Sequence, residues 1–248
     1  MPPSRGQLTG ETSMRMSLIR GLVVAVMSWG ASASAQTSFS LTPPCAPGLC
    51  GASRLGAAAM KPAGAVGDSQ YIEVDVAATQ LLQSSSEHIA ISGFANGQPF
   101  ISSGAFGTNA PNGGIGIALG RIDTASHPSC PADPSDSKVE FAIERFAWND
   151  IYGSDIRHCV SFDKAALNGV WKLRIGIYVS CVGTTCSASA SLEDPVTFVQ
   201  FGAVSSSGIA LANPNTARRP WYAVTHFAAE PFNYSATFWV RSESYNSY

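Results

Sequence analysis

The six cysteines constrain the fold of this chain most, because all of them follow a segment with the features of a secretory signal peptide. Arg15 and Arg20 precede a short apolar run, and Ala33-Ser34-Ala35 is a cleavage site of the A-x-A type that places Gln36 at the mature N-terminus. The apolar run is shorter than the ~20 residues that a membrane-spanning helix needs. We therefore expect a secreted or periplasmic protein with no transmembrane segment in its mature chain.

Exported chains fold under oxidising conditions, so the cysteines are expected to form disulfides rather than a metal site. Six cysteines allow fifteen connectivities, and the sequence alone does not choose among them. In two cases only four residues separate neighbouring cysteines, which favours local pairing and leaves the remaining two cysteines to pair with each other. The favoured pairs are Cys45–Cys50, Cys181–Cys186 and Cys130–Cys159.

Changes in composition divide the chain into three parts. Residues 1–35 are the predicted signal peptide, and they include an upstream extension if translation starts at Met14 or Met16. Residues 36–69 are rich in Pro, Gly and Ala and are predicted to be an irregular lead-in. Residues 70–248 are predicted to form a single domain, because a chain of this length can bury a full core without splitting.

Apolar and polar residues alternate with period two along much of this domain, which is typical of strands with one buried face. The pattern is clearest in Val170–Val179, whose predicted apolar face begins at Trp171. Helical periodicity is confined to Ala77–Leu82 and Asp163–Leu167. The other predicted strands are Tyr71–Ala77, His88–Ala95, Ile115–Ile122, Lys138–Trp148, Val196–Val204, Trp221–Phe227 and Tyr234–Arg241.

About nine strands without intervening helices predict an all-β fold. We expect an antiparallel β-sandwich with a jelly-roll-like topology, stapled by disulfides. The formal net charge is −2, and charged residues make up only 13% of the chain. There is no basic stripe along the sequence, so no nucleic-acid partner is expected.

Glu73 and Asp75 are the candidate catalytic residues. They lie at positions i and i+2 of one predicted strand, so both carboxylates point to the same face. The segment resembles the E-x-D-x-x-E strand of the laminarinase-like jelly-roll hydrolases, whose retaining mechanism uses two carboxylates ~5 Å apart. Ala78 stands where that family has its acid/base glutamate. An enzyme built on this strand would therefore need a distant acid, such as Glu144 or Asp155.

The loop from Asp123 to Ser137 is the candidate metal site. It contains Asp133 and Asp136, and calcium prefers oxygen ligands from acidic loops of this kind. The loop does not have the spacing of an EF-hand. We therefore expect no cofactor and no metal ion, and calcium is the one alternative that the sequence leaves open.

The C-terminal segment is rich in aromatic residues, which alternate along two predicted strands. One set is expected in the core: Trp221, Phe227 and Phe238. The other set is expected to form an exposed platform on which sugar rings stack: Tyr222, Tyr234 and Trp239.

These patterns favour an exported, non-catalytic binding module whose partner is carbohydrate or another cell-surface ligand. The reasons are a rigid β scaffold, candidate exposed aromatics and no complete catalytic set in the sequence. Two alternatives remain open. One is a secreted glycoside hydrolase or polysaccharide lyase on a jelly-roll scaffold, and the other is a structural component of the envelope or of an appendage.

Peptide mapping of the exported protein under non-reducing conditions tests the cysteine pairing. We expect a mature N-terminus at Gln36 and three local or mid-chain disulfides, including Cys45–Cys50. A peptide that joins either of these two cysteines to Cys130 or Cys181 would contradict the pairing.

Overall fold

The computed structural model describes residues 37–41, 55–60, 68–79, 82, 87–95, 99–102, 105–108, 113–120, 130, 133, 135, 137–146, 154–211, 220–226 and 236–246. All of them belong to one compact unit, Ala35–Tyr248. Within these ranges, no helix is long and apolar enough to cross a membrane. Cys45, Cys50, Phe227, Tyr234 and Asp136 lie outside the described residues.

Strands dominate the described residues, and a short 3-10 helix is formed by Lys164–Leu167. The strands are β1 (Thr37–Leu41), β2 (Leu55–Met60), β3 (Ser69–Ala77), β4 (Glu87–Ala95), β5 (Pro99–Ser102), β6 (Ala105–Thr108), β7 (Gly114–Gly120), β8 (Lys138–Phe146), β9 (Ser154–Asp163), β10 (Leu173–Val182), β11 (Thr185–Glu193), β12 (Gln200–Ala210), β13 (Trp221–His226) and β14 (Ala236–Asn246).

Two six-stranded sheets form the sandwich. Sheet A has the strand order β1-β14-β3-β10-β11-β12, and sheet B has the order β2-β13-β4-β7-β8-β9. Strands β5 and β6 form a separate two-stranded sheet, and every strand pair is antiparallel. The predicted fold class, an all-β antiparallel sandwich stapled by disulfides, is confirmed.

The inner faces of the two sheets bury one continuous apolar core. Strand β3 contributes Ile72 and Val74 from sheet A, and sheet B contributes Ile117 and Phe141. Burying each of these side chains stabilises the fold by roughly 1.5–3 kcal/mol relative to exposure. Strands β10 and β11 bury every second residue, as the period-two pattern predicts.

The Cys130–Cys159 disulfide packs on the outer face of sheet B. Its two cysteines form a second buried cluster with Ala118 and Ala142, which lie on β7 and β8. The small alanine side chains leave room for the disulfide. Strand β7 is consequently buried on both faces along its whole length.

The Cys181–Cys186 disulfide staples the hairpin of β10 and β11 at directly opposed positions. Both observed disulfides are pairs that the sequence analysis favours. The third pair, Cys45–Cys50, falls outside the described residues and stays a prediction.

Several strands differ from the sequence-based expectation. Residues 36–69 contain β1 and β2, so the expectation that this part is irregular is wrong at those positions. Strand β11 was not predicted, because its sequence TCSASASLE buries mainly alanine rather than large apolar residues. Trp171 precedes β10 and is 58% exposed, so it does not share the buried face of that strand. Val196 lies in a turn before β12.

Strands β9 and β12 meet where the two sheets approach each other along one edge of the sandwich. The rings of Phe162 and Phe201 stack across this edge with 5.5 Å between their centroids. Gly202 follows on β12, and a Cβ atom there would stand 3.0 Å from Val160 Cγ2 and 3.4 Å from Phe141 Cδ1. A side chain at position 202 would therefore be tightly packed, and Val160 would have to shift by a few tenths of an ångström to admit it.

Replacing Gly202 with Ala tests this close approach. We expect the free energy of unfolding to fall by about 1–3 kcal/mol, because the added methyl group overpacks the core. Gly176→Ala is the matched control, since a Cβ there makes only ordinary contacts of 3.4 Å or longer. Urea denaturation of both variants gives the comparison, and equal stabilities would show that the edge can relax.

Candidate functional site

The outer face of sheet A exposes polar side chains, in contrast to the covered outer face of sheet B. On β11 the outward positions are occupied by small hydroxyl residues, including Ser189 and Ser191. The opposite positions on β10 are Tyr178 and Gly176. This face therefore combines a low floor of small residues with an aromatic side chain that rises beside it.

A shallow groove of about 410 Å³ lies on this face. Its volume falls within the range of small-molecule sites. Tyr178, which is 41% exposed, is the largest exposed apolar surface in its lining. The groove is lined by Tyr71, His158, Gly176, Tyr178, Ser189, Ala190, Ser191, Ala203, Val204 and Ser205.

Tyr71 lies directly opposite Tyr178 in the pairing of β3 with β10. Its hydroxyl donates a hydrogen bond of 2.8 Å to Glu73 Oε2. The same hydroxyl oxygen lies 3.6 Å from the point where a Cβ atom of Gly176 would stand. The Tyr71 hydroxyl therefore lies above Gly176, at ordinary contact distance from this position. Burial, together with the hydrogen bond to Glu73, raises the pKa of Tyr71 to about 12.

His158 closes the groove on the side of β9. Its Nδ1 atom lies 2.9 Å from the carbonyl oxygen of Ser205 and 3.4 Å from the backbone nitrogen of the same residue. These contacts join the edge strands β9 and β12. The imidazole is thereby held in place at the rim of the groove.

Glu73 and Asp75, the candidate catalytic residues, continue the same face toward the start of β10. Arg174 Nε lies 3.1 Å from Asp75 Oδ1 and 3.5 Å from Glu73 Oε1. Arg241 also bridges both carboxylates, at 2.8 Å from Glu73 and 3.3 Å from Asp75. Arg174 Nη1 additionally contacts Glu193 Oε1 at 3.1 Å. We call these five side chains the carboxylate–arginine cluster.

The carboxylates of Glu73 and Asp75 are neutralised by ion pairs. Two guanidinium groups, those of Arg174 and Arg241, each contact both carboxylates. The distant acids considered above, Glu144 and Asp155, lie on β8 and β9 of the other sheet. Asp155 itself pairs with Arg145 at 3.0 Å. The structure does not bring these candidates together.

Trp239 lies on the same row of the sheet as Asp75, at the end of the face that carries the cluster. The ring of Trp171 packs edge-on against it with 6.0 Å between the centroids. The Lys172 ammonium lies 4.2 Å from the Trp239 ring centroid and 4.5 Å from that of Trp171. Trp239 is half-buried among these neighbours, and Trp171 offers the more exposed ring.

The prediction that Tyr222 belongs to an exposed aromatic platform is wrong. Its side chain is fully buried and packs against Phe39 and Phe238 at ring-centroid distances of 5.3 Å and 5.5 Å. Its hydroxyl donates a 2.6 Å hydrogen bond to Glu243. Trp221 and Phe238 are buried, as expected.

Asp133 is the calcium candidate that lies among the described residues. Its carboxylate accepts hydrogen bonds from neighbouring residues of its own loop. Its oxygens accept hydrogen bonds from the backbone nitrogens of Ser137 at 2.7 Å and Lys138 at 3.0 Å, and from the hydroxyl of Ser135. The Ser135 contact is the largest cause that holds the pKa of Asp133 below its ordinary value. Among the described residues, no group of three or more His, Cys, Asp or Glu side chains could hold a metal ion.

Tyr178 and the serines around it were missed by the sequence analysis. Tyr178 stands on the polar side of the alternation in β10, together with Arg174 and Gly176, so its outward direction was present in the pattern. The groove could not be predicted from the sequence, because its lining includes residues of β11 and β12 and the sequence did not predict β11.

No family profile matches this sequence, and no curated protein matches it. The structure of this chain is similar to the potassium-bound carbohydrate recognition domain of Emp46p. The two share 10% sequence identity and a TM-score of 0.47, and the match covers 85% of this chain and 89% of the other. Lectin I-B4 from Griffonia simplicifolia, in its metal-free form, has 12% identity, a TM-score of 0.44 and coverage of 88% and 96%. The exoplasmic/lumenal domain of VIP36, bound to Ca²⁺ and Man2, has 9% identity, a TM-score of 0.42 and coverage of 75% and 72%.

The variant Arg174→Met tests whether the carboxylate–arginine cluster is structural. Asp75 is nearly inaccessible, and it would be left with only the partly exposed Arg241 as its ion-pair partner in the cluster. We expect the free energy of unfolding to fall by about 1–3 kcal/mol, the cost of a poorly satisfied buried group.

Lys138→Met is the matched control for this measurement. Lys138 pairs with Asp163 at 2.7 Å, but both side chains are exposed, so its loss should have little effect. Urea denaturation compares the two variants. Equal stabilities would contradict a structural role for the cluster.

Proposed function

We propose that this protein is an exported, non-catalytic module that binds carbohydrate in the groove on the outer face of sheet A. The observation that carries the proposal is the lining of that groove. Tyr178 offers an exposed aromatic ring, and the hydroxyls of Ser189, Ser191 and Ser205 stand around a floor opened by Gly176.

Sugars present both apolar and polar surfaces, and the groove offers a partner for each. An aromatic ring can cover the apolar face of a pyranose, while short hydroxyl side chains donate and accept hydrogen bonds with its hydroxyl groups. His158 and Tyr71 add two polar groups that are already held in place by Ser205 and Glu73. Binding would therefore order few side chains, which lowers its entropic cost.

The arrangement of the nearby carboxylates favours binding over hydrolysis. A retaining glycosidase needs two carboxylates that face one cleft, one as nucleophile and one as acid/base. Here Glu73 and Asp75 are bridged by Arg174 and Arg241. This arrangement supports a structural role for them beside the groove.

Export is supported by the disulfides and by the sequence of the N-terminal segment. The structure contains Cys130–Cys159 and Cys181–Cys186, and such bonds persist in oxidising compartments. The A-x-A site at Ala33-Ser34-Ala35 agrees with secretion. A ligand of the cell surface or of the surrounding matrix would be accessible to a secreted or periplasmic protein.

Retention of the oxidised protein on cellulose, chitin, xylan and peptidoglycan tests this function, with released reducing ends recorded in the same samples. We expect retention without turnover on at least one polymer. Tyr178→Ala should weaken that retention roughly tenfold, which corresponds to about 1.4 kcal/mol.

Tyr178→Phe is the matched control, because it keeps the ring and should retain most of the affinity. Release of reducing ends would overturn the non-catalytic function and favour the hydrolase or lyase. Unchanged retention by Tyr178→Ala would show that the ligand binds elsewhere, and Trp239→Ala would then test the platform expected from the sequence.

A further inference from the structure

Large apolar side chains are exposed together at one end of sheet A. Val196, Phe198 and Val199 lie in the turn between β11 and β12. Trp171 lies in the segment that leads into β10. Because the first residues of β10 pair with the last residues of β11, the segment and the turn lie at the same end of this strand pair. We call residues 194–199 the apolar turn.

Four hydrogen bonds within the apolar turn hold its conformation. The backbone nitrogen of Asp194 donates to the carbonyl of Val199 at 2.9 Å, and the nitrogen of Phe198 donates to the carbonyl of Asp194 at 2.8 Å. The Asp194 carboxylate accepts from the Val196 nitrogen at 2.8 Å and from the Thr197 hydroxyl at 2.6 Å. The only charged residue of the turn is therefore directed inward, and the tip exposes no charge of its own.

Phe198 occupies an unfavourable backbone conformation at this tip. Its φ is 58°, and it is the one non-glycine residue with positive φ among the described residues. Bulky side chains are disfavoured in the left-handed region, where Gly and Asn are accepted more readily. Its side chain is also 71% exposed, so the conformation does not serve to bury the ring. Strain that displays an aromatic ring to solvent points to a function for that ring.

The neighbouring segment adds the remaining features of an interfacial surface. Trp171 is exposed, and Lys172 lies between the rings of Trp171 and Trp239 with its ammonium group near both. Tryptophan, phenylalanine and lysine are favoured where protein meets the boundary between lipid headgroups and acyl chains. The positive charge of Lys172 complements anionic headgroups.

We propose that the apolar turn and Trp171 insert into the surface of a phospholipid bilayer. The tip of the turn exposes large apolar side chains and no charge, so it fits a deformable apolar layer. The groove on the outer face is lined mainly by serine, tyrosine and histidine, so it does not offer an apolar hollow that would receive the turn of a second copy. This membrane contact is independent of sugar binding in the groove.

Co-sedimentation with vesicles of equimolar phosphatidylcholine and phosphatidylglycerol tests the proposal. The oxidised full domain should bind the vesicles, and Phe198→Asn should lower the bound fraction at fixed lipid by roughly tenfold or more. The same variant should keep or raise the urea midpoint, because asparagine adopts positive φ at lower cost. Loss of binding then reflects the lost ring and not a loss of folding.

Val182→Asn is the matched control at the opposite end of the same hairpin. Val182 is 85% exposed, yet it lies away from the apolar turn, so its replacement should leave vesicle binding unchanged. Failure of the wild-type protein to bind vesicles would overturn the proposal, as would equal binding by Phe198→Asn. A dimer in analytical ultracentrifugation that dissociates on Phe198→Asn would also overturn it and assign the turn to self-association.

Discussion

Burial of the inner faces of the two sheets is the constraint on which every other feature depends. On β3, the side chains of Ile72 and Val74 must enter the core, and alternation then directs Tyr71, Glu73 and Asp75 outward. A slip of one residue in the register would exchange the two sets. The apolar core therefore decides that the groove and the carboxylate–arginine cluster share one face.

The outer faces of the two sheets differ in how far they are accessible to solvent. Cys130–Cys159 packs against Ala118 and Ala142 on the outer face of sheet B, and all four residues are buried there. Sheet A has outward hydroxyl residues on β11 and Gly176 on β10 instead, and its face stays accessible. Small side chains thus serve opposite purposes in the two sheets. They make room for a buried disulfide in sheet B and leave an open floor in sheet A.

The sequence predicts the fold class well but the site only in part. Period-two patterns identify β3, β8 and β10, because each of them places large apolar residues on one side. These patterns do not show that Tyr222 is buried. Trp221 and Tyr222 are adjacent and both are buried, whereas alternation predicts that one of two adjacent residues is exposed. Likewise, Glu73 and Asp75 are correctly placed on one face, but Arg174 and Arg241 are distant in sequence, so their contacts depend on the assembled sheet.

The hairpin of β10 and β11 carries both proposed binding surfaces. Cys181–Cys186 fixes one of its ends, and the ion pair of Arg174 with Glu193 lies across the other. Between them lies the groove, and beyond the ion pair lies the apolar turn that displays Phe198. A strand pair held at both ends keeps its surfaces in place before a ligand arrives, so little conformational entropy is lost on binding. Strain at Phe198 is tolerated because the turn between β11 and β12 is held by its own hydrogen bonds, from Phe198 and Val196 to Asp194 and from Asp194 to Val199.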